Sequence, residues 1–214
     1  MKVITQTGQL DRSVSTGVGL GNFDGLHIGH MALIGTLISE CRLNGLASVV
    51  YTFRKHPDNI LRTSLVNPLI TSLDQKTRLL EAHDIDWLFY QDFDEDFSRL
   101  SPEDFVKTIL VDGLNMKLAV IGFNYRFGYM GKGDPELMKK LGDKYGFSVI
   151  VIPPVRVKSE VVSSTLIRQY IEKGKMENVF QLLGRHFSLK GTVVDGLRVG
   201  RTLGFPTANI IADP

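Results

Sequence analysis

Two histidines three residues apart in a glycine-framed segment, Gly21-Asn22-Phe23-Asp24-Gly25-Leu26-His27-Ile28-Gly29-His30, are the strongest chemical signal in the sequence. The stretch 17–23 (GVGLGNF) reads as a buried strand, Asp24-Gly25 as a turn, and a helix is expected from about Gly29. Glycines at a strand-to-helix turn let backbone amides approach a ligand, and a helix N-terminus favours anions. Gly21, Asn22, Phe23, Asp24, Gly25 and Gly29 would form the phosphate-binding backbone. His27 and His30 can project to one side of the turn and donate hydrogen bonds to oxygens that gain charge during displacement at phosphorus. The same spacing is that of a zinc half-site, although no nearby set of Cys, His or carboxylates completes four ligands. Two ordinary surface or core histidines are the plainest alternative, and the sequence defines no metal ligands.

A second anion site is expected at Ser163-Ser164-Thr165-Leu166-Ile167-Arg168. Serine and threonine cap helices, and a helix from about Thr165 to Glu172 would follow; simple capping competes with a phosphate role. Arg168, one turn in, adds a forked donor beside free amides and hydroxyls. Gly122-Phe123-Asn124-Tyr125-Arg126-Phe127-Gly128 follows a strand at 117–123, where Asn124, Arg126 and Phe127 could hold a planar ring or simply pack under a loop. Thr52-Phe53-Arg54-Lys55-His56-Pro57 sits at another strand end. Near the end, Thr207 and Asn209 in Pro206-Thr207-Ala208-Asn209 could serve a metal–phosphate group or a plain turn.

These segments need a scaffold, and the hydrophobic pattern supplies one. Strands are expected at 47–53, 86–90, 117–123 and 147–152, alternating with helices at 29–44, from Ser72 to near His83, from Ser101-Pro102, and at 135–144. Ser72-Leu73-Asp74-Gln75 has the form of a capping box. The alternation predicts an α/β fold, a doubly wound Rossmann-like parallel sheet with helices on both faces. After about Arg185 the texture turns to glycine-punctuated strands and turns, the start of a β-barrel-like domain. The expected division is 1–185 and 186–214, the second too short to close a β-domain alone.

Composition narrows the class. A net charge of +2 with intermixed signs argues against a dedicated nucleic-acid surface. No apolar run approaches a membrane span, and Cys41 is the only cysteine, which fits a cytoplasmic protein with a buried thiol.

In this order the segments resemble the bacterial bifunctional riboflavin kinase/FAD synthetase family. Gly21–His30 resembles its nucleotidyltransferase signature G-x-F-D-G-x-H-x-G-H, and Ser163–Arg168 its S-S-T-x-I-R motif, with Leu166 in place of a frequent arginine. Thr52–Pro57 is similar to its T-F-x-x-H-P, with Lys55 where proline is common, and Gly122–Gly128 to its G-x-x-x-x-F-G, with Asn124 where aspartate is frequent. Gly184-Arg185 and the P-T-A-N box resemble the join into its kinase domain. The resemblance implies Mg²⁺-dependent transfer of AMP from ATP to FMN, giving FAD and pyrophosphate. His27 and His30 would then act at the α-phosphate, Ser164, Thr165 and Arg168 would hold the triphosphate, and Asn124 with its aromatic neighbours would form the flavin side. Thr207 and Asn209 would belong to a kinase ATP–Mg²⁺ site, of which too little is present for riboflavin phosphorylation to be expected. Apolar residues of the terminal segment could pair with another chain. Competing readings are a nucleotidyltransferase with another acceptor, or a non-catalytic flavin-sensing or RNA-binding regulator.

Overall fold

The glycine-rich strand is the centre of the sheet. The computed structural model describes residues 1–11, 13–54, 68–196, 204–205 and 207–212. Six parallel strands, β1 (Lys2–Ile4), β2 (Thr16–Leu20), β3 (Ala47–Phe53), β4 (Trp87–Gln91), β5 (Met116–Gly122) and β6 (Ser148–Ile152), lie in the order β1-β4-β3-β2-β5-β6. The expected doubly wound sheet is therefore present. The order reverses beside β2, whose neighbours are β3 and β5, so a crevice opens at the carboxyl ends of β2 and β5.

Helices cover both faces. α1 (Ile28–Asn44) and α2 (Leu73–Glu81) bury Leu33, Ile34, Leu37, Cys41 and Leu80 against Val50, Leu88, Leu118 and Val120. The short helix α3 (Glu95–Ser98) precedes α4, whose residues run through Pro102–Asp104, a π-type stretch Phe105–Val111, and Asp112–Leu114. With α5 (Pro135–Tyr145), α4 buries Phe105, Val106, Leu110, Met138 and Leu141 against Val18, Leu20, Val49 and Tyr51. Alternation along β3 sends Val49 and Tyr51 to one face and Val50 to the other, as a central strand requires.

The expected capping box is made: Ser72 Oγ accepts from Gln75 N at 3.3 Å, and Gln75 Oε1 accepts from Ser72 N at 2.9 Å. Glycine in β2 sets the distance between sheet and helix. A Cβ on Gly17 would stand 2.3 Å from Cys41 Sγ, so α1 can lie this close only over a bare backbone. That approach carries the N-terminus of α1 to the crevice.

Past β6 come the hairpin β7 (Arg156–Val157) and β8 (Glu160–Val161), then α6 (Ser164–Glu172) and α7 (Met176–Leu183). Ile167, Val179, Leu182 and Leu183 form a third cluster with Ile70 and Val162. Finally β9 (Gly191–Val194) pairs antiparallel with β10 (Asn209–Ala212). Thr207 and Asn209 are exposed there. Lys55, His56 and Pro57 of the T-F-x-x-H-P segment, and Leu203 and Pro206, lie outside the described residues.

Candidate active site

The turn after β2 is strained and packed. The strand ends at Leu20, not at Phe23 as the pattern suggests, because Phe23, Gly25 and Leu26 take positive φ values of 48°, 82° and 39°. Each left-handed non-glycine costs about 1–3 kcal/mol. Phe23 and Leu26 are buried, and burial of such side chains returns about 1.5–3 kcal/mol each, so packing offsets the strain. At Gly25 a Cβ would also crowd Ile70.

His27, not Gly29, sets the helix start. It caps α1, its Nδ1 accepting from His30 N at 3.1 Å. A backbone N–H can only donate, so Nδ1 carries no proton and the neutral ring keeps its hydrogen on Nε2. Burial brings the His27 pKa down to about 4, with a smaller push from the Arg185 charge opposed by the hydrogen bond. The rings of His27 and His30 stack at 3.6 Å, and Phe23 meets His30 edge-on at 5.2 Å. Burial, with His27 and Lys76 nearby, also holds His30 well below the usual histidine range. Among the described residues His30 Nδ1 is a buried nitrogen without a partner. Such an orphan costs about 1–3 kcal/mol, a cost that persists where a site uses the group.

Asp24 ties the turn to its surroundings. Its carboxylate accepts from Ile70 N at 3.0 Å and Thr71 N at 3.2 Å, and pairs with Arg168 of α6. Arg168 Nε donates to Pro68 O at 2.8 Å, and Ser164 Oγ donates to Asp24 O at 2.9 Å. Ser163 Oγ accepts from Leu166 N at 3.2 Å as the α6 cap. Ser163, Ser164 and Arg168 therefore each hold structure as well as lining the crevice.

The crevice is a cleft of about 430 Å³ lined by Gly21, Asn22, Phe23, Asp24, His27, Gly29 and His30 from the turn, by Gly122–Arg126, and by Ser163, Ser164, Thr165 and Arg168. The sequence-predicted turn and second anion segment thus meet at one place. Ile28 and Gly29 of α1, and Ser164 and Thr165 of α6, are first-turn residues whose N–H groups have no intrahelical acceptor. Two helix N-termini converging on a cleft make a cradle for phosphate. Asn124 and Arg126 line the same cleft, as does the exposed ring of Phe123. Phe127 lies elsewhere: it is buried in the core against Phe105 and Tyr125, where it supports the loop and forms no part of the cleft wall. Thr207 and Asn209, on the terminal hairpin, do not line it either.

Two cations were not anticipated. Lys76 of α2 is buried, its Nζ donating to Asn22 O at 2.8 Å, and burial lowers its pKa to about 8. The signal was present: Lys76 and Leu80 share the buried face of α2, and a lysine on an apolar face needs a partner. Arg185 donates to Leu26 O at 3.0 Å and Gly25 O at 2.7 Å.

A doubly wound parallel sheet whose switch-point cleft is rimmed by two helix N-termini and a stacked histidine pair defines a nucleotide-handling α/β domain. Residues 11–166 match the FAD synthetase family, and residues 183–214 match the riboflavin kinase family. The chain belongs to the FAD synthetase family. It is 37% identical to the bifunctional riboflavin kinase/FMN adenylyltransferase of Buchnera aphidicola subsp. Schizaphis graminum, covering 98% of this chain and 68% of that protein. The Escherichia coli K12 protein of the same description is 34% identical over the same shares, and that of Bacillus subtilis 36% identical over 90% of this chain and 61% of its own length. A crystal structure described as a macrolide-efflux protein from Streptococcus pneumoniae matches with a TM-score of 0.86 at 32% identity, covering 98% of this chain and 68% of that one. Among the described residues of this chain no helix is long and apolar enough to cross a membrane.

Proposed function

We propose that the chain transfers the adenylyl group of ATP to FMN, giving FAD and pyrophosphate. The observation that carries this reading is the convergence of the α1 and α6 N-termini with the neutral His27 ring on one cleft. An oxygen of the FMN phosphate forms a bond to the α-phosphorus as the bond to the bridging oxygen of pyrophosphate breaks. The attacking phosphate is already anionic, so no general base is required. His27 donates from Nε2 to a non-bridging α-oxygen, and His30 lies stacked beside it to share that load. The Ser164 and Thr165 amides, Thr165 Oγ1 and the remaining guanidinium hydrogens of Arg168 receive the leaving pyrophosphate. Phe123, Asn124 and Arg126 face the flavin.

Mg²⁺ enters with ATP as part of the substrate. Among the described residues no three His, Cys, Asp or Glu side chains gather into a ligand set. Mg²⁺ commonly keeps several waters and binds largely through substrate phosphates, so here the ATP phosphates would hold it. When bound, the ion neutralises charge on the phosphate chain.

Residues 1–185 are read as the adenylyl-transfer unit and 186–214 as the first part of a kinase-like β-domain, in a cytoplasmic protein. The test is to mix the chain with Mg²⁺–ATP and FMN and follow FAD and pyrophosphate. Stoichiometric appearance of both supports the reading; binding of both substrates without product would overturn it.

A further inference from the structure

Arg185 reaches the turn from outside the cleft, which it does not line. Its two terminal nitrogens donate separately to the carbonyls of Gly25 and Leu26, the two left-handed residues directly before His27. Its base is fixed by α7, which packs on α6 through Val179, Leu182, Leu183 and Ile167. Beyond it the chain continues along the start of α2, where Gln75 Nε2 donates to Ser188 O at 3.1 Å and Lys190 pairs with Asp74 at 2.8 Å. Arg185 also lies within residues 183–214, the stretch that matches the riboflavin kinase family. A contact between that stretch and the turn therefore ends one residue from the histidine that faces the cleft.

We propose that Arg185, supplied by the kinase-matched segment, is a positioning residue for adenylyl transfer. Its guanidinium fork fixes the Gly25 and Leu26 peptides and, through them, the position of the His27 ring. A planar fork can bond two carbonyls at once with little loss of freedom, which a single ammonium cannot do. Without the fork, two strained peptides lose their shared donor, and the ring they carry shifts relative to the α-phosphate. A misplacement of about 1 Å at a reacting centre costs on the order of a hundredfold in rate. The Arg185 charge also lies near enough to His27 to help keep it neutral. This inference rests on the adenylyl-transfer reading above.

The experiment compares Arg185→Met and Arg185→Lys with the unaltered chain, measuring kcat, both KM values, thermal midpoint and the His27 imidazole titration by NMR. Arg185→Met should lower kcat by roughly tenfold to a hundredfold, leave the KM for FMN within about threefold, and raise the His27 pKa above about 4. Arg185→Lys should recover part of the rate and hold the His27 pKa closer to its original value. An unchanged kcat in a folded Arg185→Met chain overturns the proposal. So does a fall in rate explained by lost stability with the His27 titration unmoved. Should Arg185→Met fail to fold, Arg185→Lys carries the comparison, and full activity there counts against the fork. If the unaltered chain makes no FAD, the adenylyl-transfer reading fails, and the hold on His27 is judged by the titration alone.

Discussion

Breaking the Asp24–Arg168 pair tests the central mechanical claim, that the turn and α6 are held by one buried charge hub. Asp24 is 2% exposed and the Arg168 side chain 13%, so solvent screens the pair little. Four donors converge on the Asp24 carboxylate: Ile70 N, Thr71 N, the Thr71 hydroxyl and the Arg168 guanidinium. Asp24→Asn offers one acceptor oxygen and an NH2 that cannot accept, so either the two amides or the guanidinium lose their partner. Arg168→Met leaves a buried carboxylate with the two amides and the Thr71 hydroxyl but no paired guanidinium. Each single change should cost about 3–5 kcal/mol, the usual penalty for stranding one member of a buried ion pair. The double variant removes both charges, lets the carboxamide oxygen introduced by Asp24→Asn serve the two backbone amides, and fills the space with an apolar chain. It should cost little more than either single change, a coupling of about 2–4 kcal/mol. Urea unfolding of the four chains, read with a constant m-value, measures it. Costs that add to within about 0.5 kcal/mol would show that Asp24 and Arg168 act independently, and the hub would be abandoned.

Replacing His27 or His30 by Ala should lower kcat by roughly a hundredfold to a thousandfold, the usual loss for one donor to a developing oxyanion, while FMN binding changes far less; equal loss of both would point to folding instead. The pH dependence of stability should also carry a His27 signature. Its folded pKa of about 4 lies below the reference 6.5 of the unfolded chain, so the unfolded state binds the extra proton between those values. Stability therefore falls as pH drops through that window, by up to about 3 kcal/mol at 1.36 kcal/mol per unit. Comparing unfolding free energies at pH 7 and 4.5 for the parent and His27→Gln isolates the contribution, and identical slopes would disprove it.

Much of the scaffold was legible because its signals are local. Ser72 with Gln75, Pro102 after Ser101, and the seven-residue β3 each announce themselves within a few residues. The edge strand β1 and the hairpin β7–β8 were not read, since three-residue and two-residue strands carry too little periodicity. The π-type stretch Phe105–Val111 is a register change within one apolar helix, which the hydrophobic pattern does not distinguish. Phe127 was placed with the flavin candidates because it adjoins Asn124 and Arg126, but the loop turns inward after Arg126, and Phe127 is buried against Phe105 and Tyr125.

The site shows a more general division. The groups that face the cleft, His27, His30, Ser164 and Thr165, sit in compact motifs because a helix N-terminus needs only consecutive residues. The groups that hold the turn come from Lys76 of α2, Arg168 of α6 and Arg185 just past α7, and of these three Arg168 also lines the cleft. Their targets are backbone carbonyls of Asn22, Gly25 and Leu26 and the carboxylate of Asp24, and a carbonyl acceptor leaves no trace in residue type. Strain explains why so many cations are used there. A turn with Phe23 and Leu26 at positive φ has relaxed alternatives within a few kcal/mol, and apolar burial alone does not choose among peptide orientations. Donors on the carbonyl side do choose, because flipping a peptide would turn its N–H toward a cation. The same orientation leaves the amides of Ile28 and Gly29 for the cleft, so Lys76 and Arg185, which do not line it, help to build an anion site that they need never touch.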